Sequence, residues 1–447
     1  MNRIVSNIFI FYLFVLCVSI AMTVLNACDR GTDADASVVL TSSSKAKSSS
    51  SKKAYPDSFK PNDKKYPYAN IPRIVIETEK RTEIKDRETE IPAKLQIWGE
   101  KEAESEIMDL TIRGRGNTSW KHMPKKSYKI EFDKKQSLLG MPKDKDWALI
   151  SNYADKSLMR NYIAYKLSTS LNPYYSPRCE FAELYLNGEY WGVYLLTETI
   201  KIGKNRIDIP KNNNSFIVEV DGKYRKNEQV VFSKVIKEDG DGKPFRIHDP
   251  KEADDSTLKR IEHKIQEFEY FLKDIKNAEE NEISEWIDID ESIKHYWVQE
   301  FSKNPDAEFC TSVFFSWVEN GQIKMGPVWD FDLAFGNHSN EKINFSDNWH
   351  IRKYWYSYLF KDNQYEKKVT YFWNQNRNLF LDVLDSIDSC KKNIEKSAKN
   401  NFKRWIILKD HSTEWWKNKS FDSYDAAVDD LKNWVSNRIQ WIDSQVE

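Results

Sequence analysis

The stretch GPVWDFDLAFGN, residues 326–337, places two carboxylates, Asp330 and Asp332, one residue apart in an otherwise apolar run. In an extended chain both side chains point to the same side, because the side-chain period of a strand is two residues. Two carboxylates this close in apolar surroundings repel each other, which raises a pKa. A divalent cation removes the repulsion, and carboxylates often hold Mg²⁺ against substrate phosphates. We therefore predict a Mg²⁺ site at Asp330 and Asp332.

A third carboxylate, Asp306, lies upstream of this pair in FSKNPDAEF, just after a predicted helix. A predicted hairpin, TSVFFSWVENGQIKMGPVWDF, separates it from the pair. A loop Asp, a β-hairpin and then a metal-binding Asp is the order of parts in a protein-kinase catalytic centre. In that layout the loop Asp accepts the proton of the acceptor hydroxyl. By itself, an Asp after Pro305 is equally typical of an Asx turn.

Basic residues that suit phosphate binding lie nearer the N-terminus. The turn RGRGN, which carries Arg113 and Arg115, precedes the predicted strand KKSYKIEFDKK, as a phosphate-covering turn should. Lys126 lies in line with the apolar face of that strand and is predicted to contact the phosphates. Lys125 and Lys129 compete for this role. A lysine in such a position also commonly extends its ammonium to water, which leaves the assignment of Lys126 open.

Strand and helix signals alternate along the rest of the chain. IPRIVIETE places Ile74 and Ile76 on one face and predicts a strand, and CEFAELYLNGEYWGVYLLTETI predicts a hairpin with its turn at Asn187 and Gly188. Apolar residues recur at helical spacing over residues 254–277. This order predicts an α+β fold with antiparallel strands in the N-terminal half and a helical C-terminal half.

The N-terminal segment predicts export. A positive residue, Arg3, precedes a nearly continuous apolar run over residues 8–24, and VLNAC then places Cys28 before a polar stretch. This is typical of a secretory signal, and its end is similar to a bacterial lipobox. We predict a lipoprotein signal peptide over residues 1–27, with a lipid on Cys28. A simple transmembrane anchor is the alternative, but the apolar run is short for a span of about 20 residues.

Residues 28–66 are rich in Ser, Lys and Pro and predict a flexible linker. The predicted location is therefore extracytoplasmic, with a domain over residues 67–447 anchored by lipid to a bacterial membrane or cell surface. The chain carries 68 basic and 69 acidic residues, so its total charge gives no reason to expect a nucleic-acid partner. Aromatic residues make up 14% of the chain. They fit a large core, and they also leave polysaccharide as a candidate partner.

Several stretches together resemble the CotH, or spore coat protein H-like, family of atypical kinases. The resemblance covers about residues 70–445 and rests on RGRGNTSW with PKKSYKIEF, DWALISNYADKSLMRN, YLNGEYWGVYLLTE, VQEFSKNPDAEF, GPVWDFDLAFGN and LKNWVSNRIQWID. It implies a kinase-like fold with an N-lobe at about residues 67–222 and a C-lobe at about residues 223–447. It also implies Mg²⁺-dependent transfer of phosphate from ATP to Ser or Thr of a protein acceptor.

The resemblance assigns roles to individual residues. Asp306 matches the catalytic Asp, and Asp330 matches the metal-binding Asp, with Asp332 beside it. Glu198, in LLTE, resembles the stretch that lies by the nucleotide. Thr311 stands where the catalytic loop of a kinase has a second metal-binding Asn.

Two other functional classes fit parts of the sequence. The first is a non-catalytic cell-surface scaffold that binds polysaccharide through aromatic surfaces and makes no use of the aspartates. The second is a metal-dependent glycosyltransferase, since Asp-x-Asp also serves nucleotide-sugar sites. A glycosyltransferase needs an α/β half with parallel strands, and the hairpin signals argue against it.

Overall fold

The structure, a computed structural model, describes residues 59–236, 242–278, 282–409 and 419–446. The predicted signal peptide, Cys28 and residues 28–58 of the predicted linker lie outside these ranges, so those predictions stay predictions. Within the described ranges, no helix has both the length and the apolar character that crossing a membrane requires.

The N-terminal part of the described chain is a closed seven-stranded β-barrel. Its strands are β1 (Arg73–Thr78), β2 (Ile91–Trp98), β3 (Met108–Arg115), β4 (Ser127–Gln136), β5 (Asp144–Ile150), β6 (Cys179–Leu186) and β7 (Glu189–Glu198). Around the barrel their order is β1-β2-β3-β4-β5-β7-β6. All neighbours pair antiparallel except β1 and β6, whose parallel pairing closes the barrel. Closure leaves no unpaired strand edge in this part of the molecule.

The period-two pattern of the sequence accounts for the barrel interior. Ile74 and Ile76 of β1 are fully buried, as their shared face predicts. On β4 the alternate residues Tyr128, Ile130 and Phe132 are buried in the same cluster. The strands therefore turn one apolar face inward, and the predicted faces of both strands are confirmed.

A second, five-stranded sheet follows the barrel. It contains β8 (Ser215–Val220), β9 (Val230–Ser233), β10 (Lys243–Asp249), β11 (Val313–Val318) and β12 (Lys324–Met325), in the order β12-β11-β8-β10-β9. All of its pairs are antiparallel. The lobe boundary expected near residue 222 groups β8 with the N-terminal half, whereas the structure pairs β8 with β10 and β11 of the second sheet.

Helices pack around this second sheet and against the barrel. They are α1 (Thr118–His122), α2 (Arg160–Ser170), α3 (Asp255–Asp274), α4 (Ile283–Trp286), α5 (Ile289–Ser302), α6 (Glu341–Asn344), α7 (Tyr354–Leu359), α8 (Asn363–Arg404) and α9 (Tyr424–Val446). The long α8 contacts β7 of the barrel, α2, α5 and α9. It therefore joins the barrel to the helical part of the molecule.

Local signals explain where these elements begin and turn. The Asp254 side chain accepts a hydrogen bond of 2.7 Å from Thr257 N and caps α3. Asn187 and Gly188 have φ angles of 53° and 81°, the left-handed conformation that a two-residue hairpin turn between β6 and β7 requires. The α+β class is confirmed. The kinase-like fold stays a prediction, and the closed barrel was not foreseen.

Candidate functional site

The segment that carries the paired carboxylates leaves β12 and is held in an unusual backbone conformation. Asp330 has a φ angle of 62°, a left-handed conformation that non-glycine residues adopt uncommonly. Two flanking hydrogen bonds fix it: Asn304 Nδ2 donates to Asp330 O at 3.0 Å, and Phe331 N donates to Asn161 Oδ1 at 2.8 Å. Strain of this kind is kept where the surrounding structure imposes it, commonly at functional sites.

Helix α2 supplies most of the support for this segment. The Arg160 guanidinium donates to Ala334 O at 3.1 Å and to Phe335 O at 3.3 Å, and Tyr165 Oη accepts from Asp330 N at 3.5 Å. The stretch DWALISNYADKSLMRN therefore packs directly onto GPVWDFDLAFGN. Two stretches that carry the family resemblance lie together in the fold.

The Asp306 loop lies against the same segment. Asp306 is in a single 3₁₀ turn, Pro305–Ala307, just after α5. The turn is capped by Asn304, whose Oδ1 accepts from Asp306 N at 3.3 Å while its Nδ2 reaches Asp330 O. Asn304, rather than Asp306, therefore has the Asx-turn role that the sequence left open. Its side chain also joins the two loops that carry the candidate carboxylates.

Electrostatics link the three aspartates. Burial raises the pKa of Asp306 to about 7; Lys223 opposes this effect, and Asp330 adds to it. Burial also raises the pKa of Asp330, against Arg115, Lys223 and a hydrogen bond from the Asp332 side chain. The pKa of Asp332 is raised well above its usual range, first by burial and then by Asp330 and Asp306. The carboxylate repulsion expected from the sequence is therefore present among these three side chains.

The end of β8 contributes residues that the sequence analysis missed. Asp221 Oδ1 accepts from Thr311 Oγ1 at 3.1 Å and from Lys223 N at 2.8 Å. Gly222 N donates to Cys310 O at 2.8 Å, and a Cβ at Gly222 would stand only 2.9 Å from that oxygen. The Asp-Gly-Lys turn is therefore fastened to the Asp306 loop. In the sequence, the only indication that this turn belongs to the site was its charged residues directly after a buried strand.

The two arginines of RGRGN lie in different environments. The Arg115 guanidinium stacks over the Trp329 ring at 4.7 Å and acts on Asp330, so the barrel reaches the carboxylate site through this residue. Arg113 donates to Arg87 O at 2.5 Å and pairs with Glu90 at 3.7 Å. Of these two arginines, the structure brings only Arg115 to the aspartates.

The three barrel lysines are engaged elsewhere. Buried Lys125 donates to Val193 O at 2.5 Å and to Asn401 Oδ1 at 2.9 Å, and burial lowers its pKa well below the usual range. Lys126 turns back to donate to the backbone oxygen of Trp120. Lys129 pairs with the carboxylates of Glu131 and Asp146, each at 2.9 Å. None of these contacts, all within the part of the chain that the structure describes, is to a candidate aspartate.

Glu198 is fully buried and lies in a separate ion network. Its carboxylate pairs with Arg206 at 2.6 Å and with Arg178 at 2.8 Å, and it accepts from Tyr175 Oη at 3.0 Å. These contacts tie the end of β7 to the segment before β6 and to the chain that follows β7. The structure therefore gives Glu198 a packing role and does not place it with the aspartates.

The carboxylate oxygens of Asp330 and Asp332 can be compared with the ligands that Mg²⁺ usually has in proteins. Among the described residues, no group of three or more His, Cys, Asp or Glu side chains is arranged to hold a metal by itself. Mg²⁺ is usually bound through one or two carboxylates, waters and substrate phosphates rather than by an all-protein cage. Two hard oxygen donors that repel each other fit that mode of binding.

The family model described as CotH kinase protein matches residues 112–442. The chain belongs to the CotH family. The match begins within β3, so the first two strands of the barrel precede it. Among curated proteins, the chain is similar to inner spore coat protein H of Bacillus subtilis (strain 168), with 23% identity over 241 residues. That alignment covers 51% of this CotH-family chain and 59% of the relative.

Proposed function

We propose that this chain is an atypical Mg²⁺-dependent kinase that transfers the γ-phosphoryl group of ATP to Ser or Thr hydroxyls of an extracytoplasmic protein. One observation carries the proposal: the Asn304 side chain bonds to the backbone of both Asp306 and Asp330, so two loops separated by a hairpin lie together and their aspartates act on one another. Family membership supports the reaction class. Antiparallel pairing throughout the second sheet argues against the glycosyltransferase alternative.

The proposed roles follow from the chemistry of each side chain. With a pKa of about 7, Asp306 suits a group that accepts a proton near neutral pH. The acceptor oxygen bonds to the γ-phosphorus as the bond to the β-bridging oxygen breaks; ADP leaves, and the hydroxyl proton passes to Asp306. Asp330 and Asp332 would hold Mg²⁺, which supplies charge neutralisation at the transferred group. Placement and electrostatics supply most catalysis of this kind.

The location is part of the proposal. Export by the signal at residues 1–27, a lipid on Cys28 and the linker over residues 28–66 would hold the domain outside the cytoplasm. Support for this comes from the sequence pattern. A protein acceptor at the same surface is the expected partner.

The test compares the full chain with an Asp330→Asn variant by calorimetric titration of ATP in Mg²⁺. Asn tolerates the left-handed backbone of Asp330 better than Ala does, so the change removes a charge without adding strain. We expect saturable binding by the wild-type chain and none by the variant, with no loss of thermal stability in the variant. Asp385→Asn, an exposed change on α8, is the matched control.

Transfer itself is then measured with γ-labelled ATP and candidate acceptor proteins. No nucleotide binding by the folded wild-type chain would contradict the kinase proposal. Glycan-array binding that is indifferent to Asp306→Asn and Asp330→Asn would instead support the polysaccharide-binding scaffold.

A further inference from the structure

In the proposed kinase function, on which this inference rests, a lysine is expected to contact the phosphates. Phosphoryl transfer needs a cation beside the phosphates as well as carboxylates that hold the metal. The three barrel lysines that the sequence nominated are occupied by Val193 O and Asn401, by Trp120 O, and by carboxylates on neighbouring strands. A lysine that serves the site must therefore come from another segment.

The turn after β8 places Lys223 beside the site. Asp221 fixes the turn by accepting from Lys223 N at 2.8 Å, while Gly222 N and Thr311 Oγ1 fasten it to the Asp306 loop. The Lys223 residue itself is exposed to solvent. Its backbone is therefore held firmly next to Asp306, while its side chain can be reached by a ligand.

The charges around Lys223 point to the same site. Partial desolvation lowers the pKa of Lys223, but Asp306, Asp330, Asp221 and Asp332 outweigh that effect and raise it. The Lys223 ammonium is thus a positive charge that acts on all three candidate aspartates, Asp306, Asp330 and Asp332. Within the described residues, the structure gives Lys223 no direct ion pair with any one of them, so its side chain is not committed to a single carboxylate.

We propose that Lys223 is the phosphate-contacting cation of this site, in place of a lysine on the barrel. In the ligand-free chain its ammonium balances the aspartates. With nucleotide bound, it contacts the phosphates together with Arg115, which acts on Asp330 from the barrel. The site would then draw one cation from the end of β3 in the barrel and one from the turn after β8, so both parts of the fold must be in place to hold the triphosphate.

The experiment compares Lys223→Met with the wild-type full chain in titrations with ATP, ADP and adenosine, each with Mg²⁺. Met keeps the apolar stem and removes the charge. Because a hydrogen bond to a charged group is worth about 1.5–3 kcal/mol, we expect ATP and ADP binding to weaken about 10- to 100-fold. Adenosine binding should be unchanged. Lys223→Arg should restore part of the loss, and Lys226→Met, on the same exposed turn, should behave as wild type.

Each outcome decides a different question. Wild-type ATP affinity in Lys223→Met, alongside loss of binding in Asp330→Asn, would overturn the role of Lys223 and leave the kinase proposal standing. Equal weakening of ATP and adenosine would also overturn it, because a structural defect does not distinguish the phosphates. A wild-type chain that binds no nucleotide would overturn the proposed function and this inference with it.

Discussion

Replacing Asp306 by Asn should make the protein more stable, and increasingly so as the pH rises. Burial raises the pKa of Asp306 from its usual 3.8 to about 7 in the folded chain. The native state therefore holds a proton that the unfolded state releases between about pH 4 and pH 7, and stability falls as the pH rises through that window. Asn cannot ionise, so the variant escapes this loss.

The magnitude follows from the pKa shift. A shift of about three units corresponds to about 4 kcal/mol for a fully desolvated carboxyl. Asp306 is only partly buried, so solvent screening reduces this to about 2 kcal/mol. Since part of the effect is already present at pH 5, we expect the stability advantage of Asp306→Asn to grow by about 1–2 kcal/mol between pH 5 and pH 8.

The assay is urea denaturation of both chains in metal-free buffer at several pH values, followed by tryptophan fluorescence. The free-energy difference is taken from the shift in midpoint and the common slope. Asp385→Asn, at an exposed position, serves as the control. An Asp306→Asn advantage that stays constant with pH, or shrinks as the pH rises, would refute the account of Asp306 as a carboxyl kept neutral by burial.

Two further predictions concern stability away from the aspartates. Glu198→Ala should lower the free energy of unfolding by about 3–5 kcal/mol, because it leaves the fully buried Arg206 without its carboxylate. The isosteric Glu198→Gln should lower the free energy of unfolding by less than Glu198→Ala and leave the ATP dissociation constant unchanged. A large loss of nucleotide affinity in Glu198→Gln would show instead that Glu198 acts at the nucleotide site. Gly336→Ala should lower the free energy of unfolding by more than about 1 kcal/mol. Gly336 has a φ of 73°, and a Cβ there would stand 2.5 Å from Trp434 Cδ1. Thermal unfolding measures this, and an unchanged midpoint would contradict the close packing of the segment after Asp332.

Long-range contacts account for what the sequence analysis missed. The parallel pairing of β1 with β6 closes the barrel, but nothing within either strand indicates the partner. Asp221 and Thr311 are 90 residues apart in the chain and meet through a side-chain hydrogen bond. Lys126 was predicted from the face of a strand, yet it precedes the strand and bonds to a local backbone oxygen instead. A single sequence does not specify such pairings.

Local sequence was enough to predict the strand faces of β1 and β4 and the Asn187-Gly188 turn, because each depends on residues within a few positions of one another, where backbone geometry fixes the outcome. The order in which the candidate aspartates occur is also plain in the sequence. Which charges share a site depends instead on the tertiary structure. Arg115 and Lys223 reach the aspartates because the barrel and the second sheet meet there, whereas Glu198 is drawn into a buried ion network instead. Spatial proximity, on which electrostatics depends, is set by packing across the whole chain.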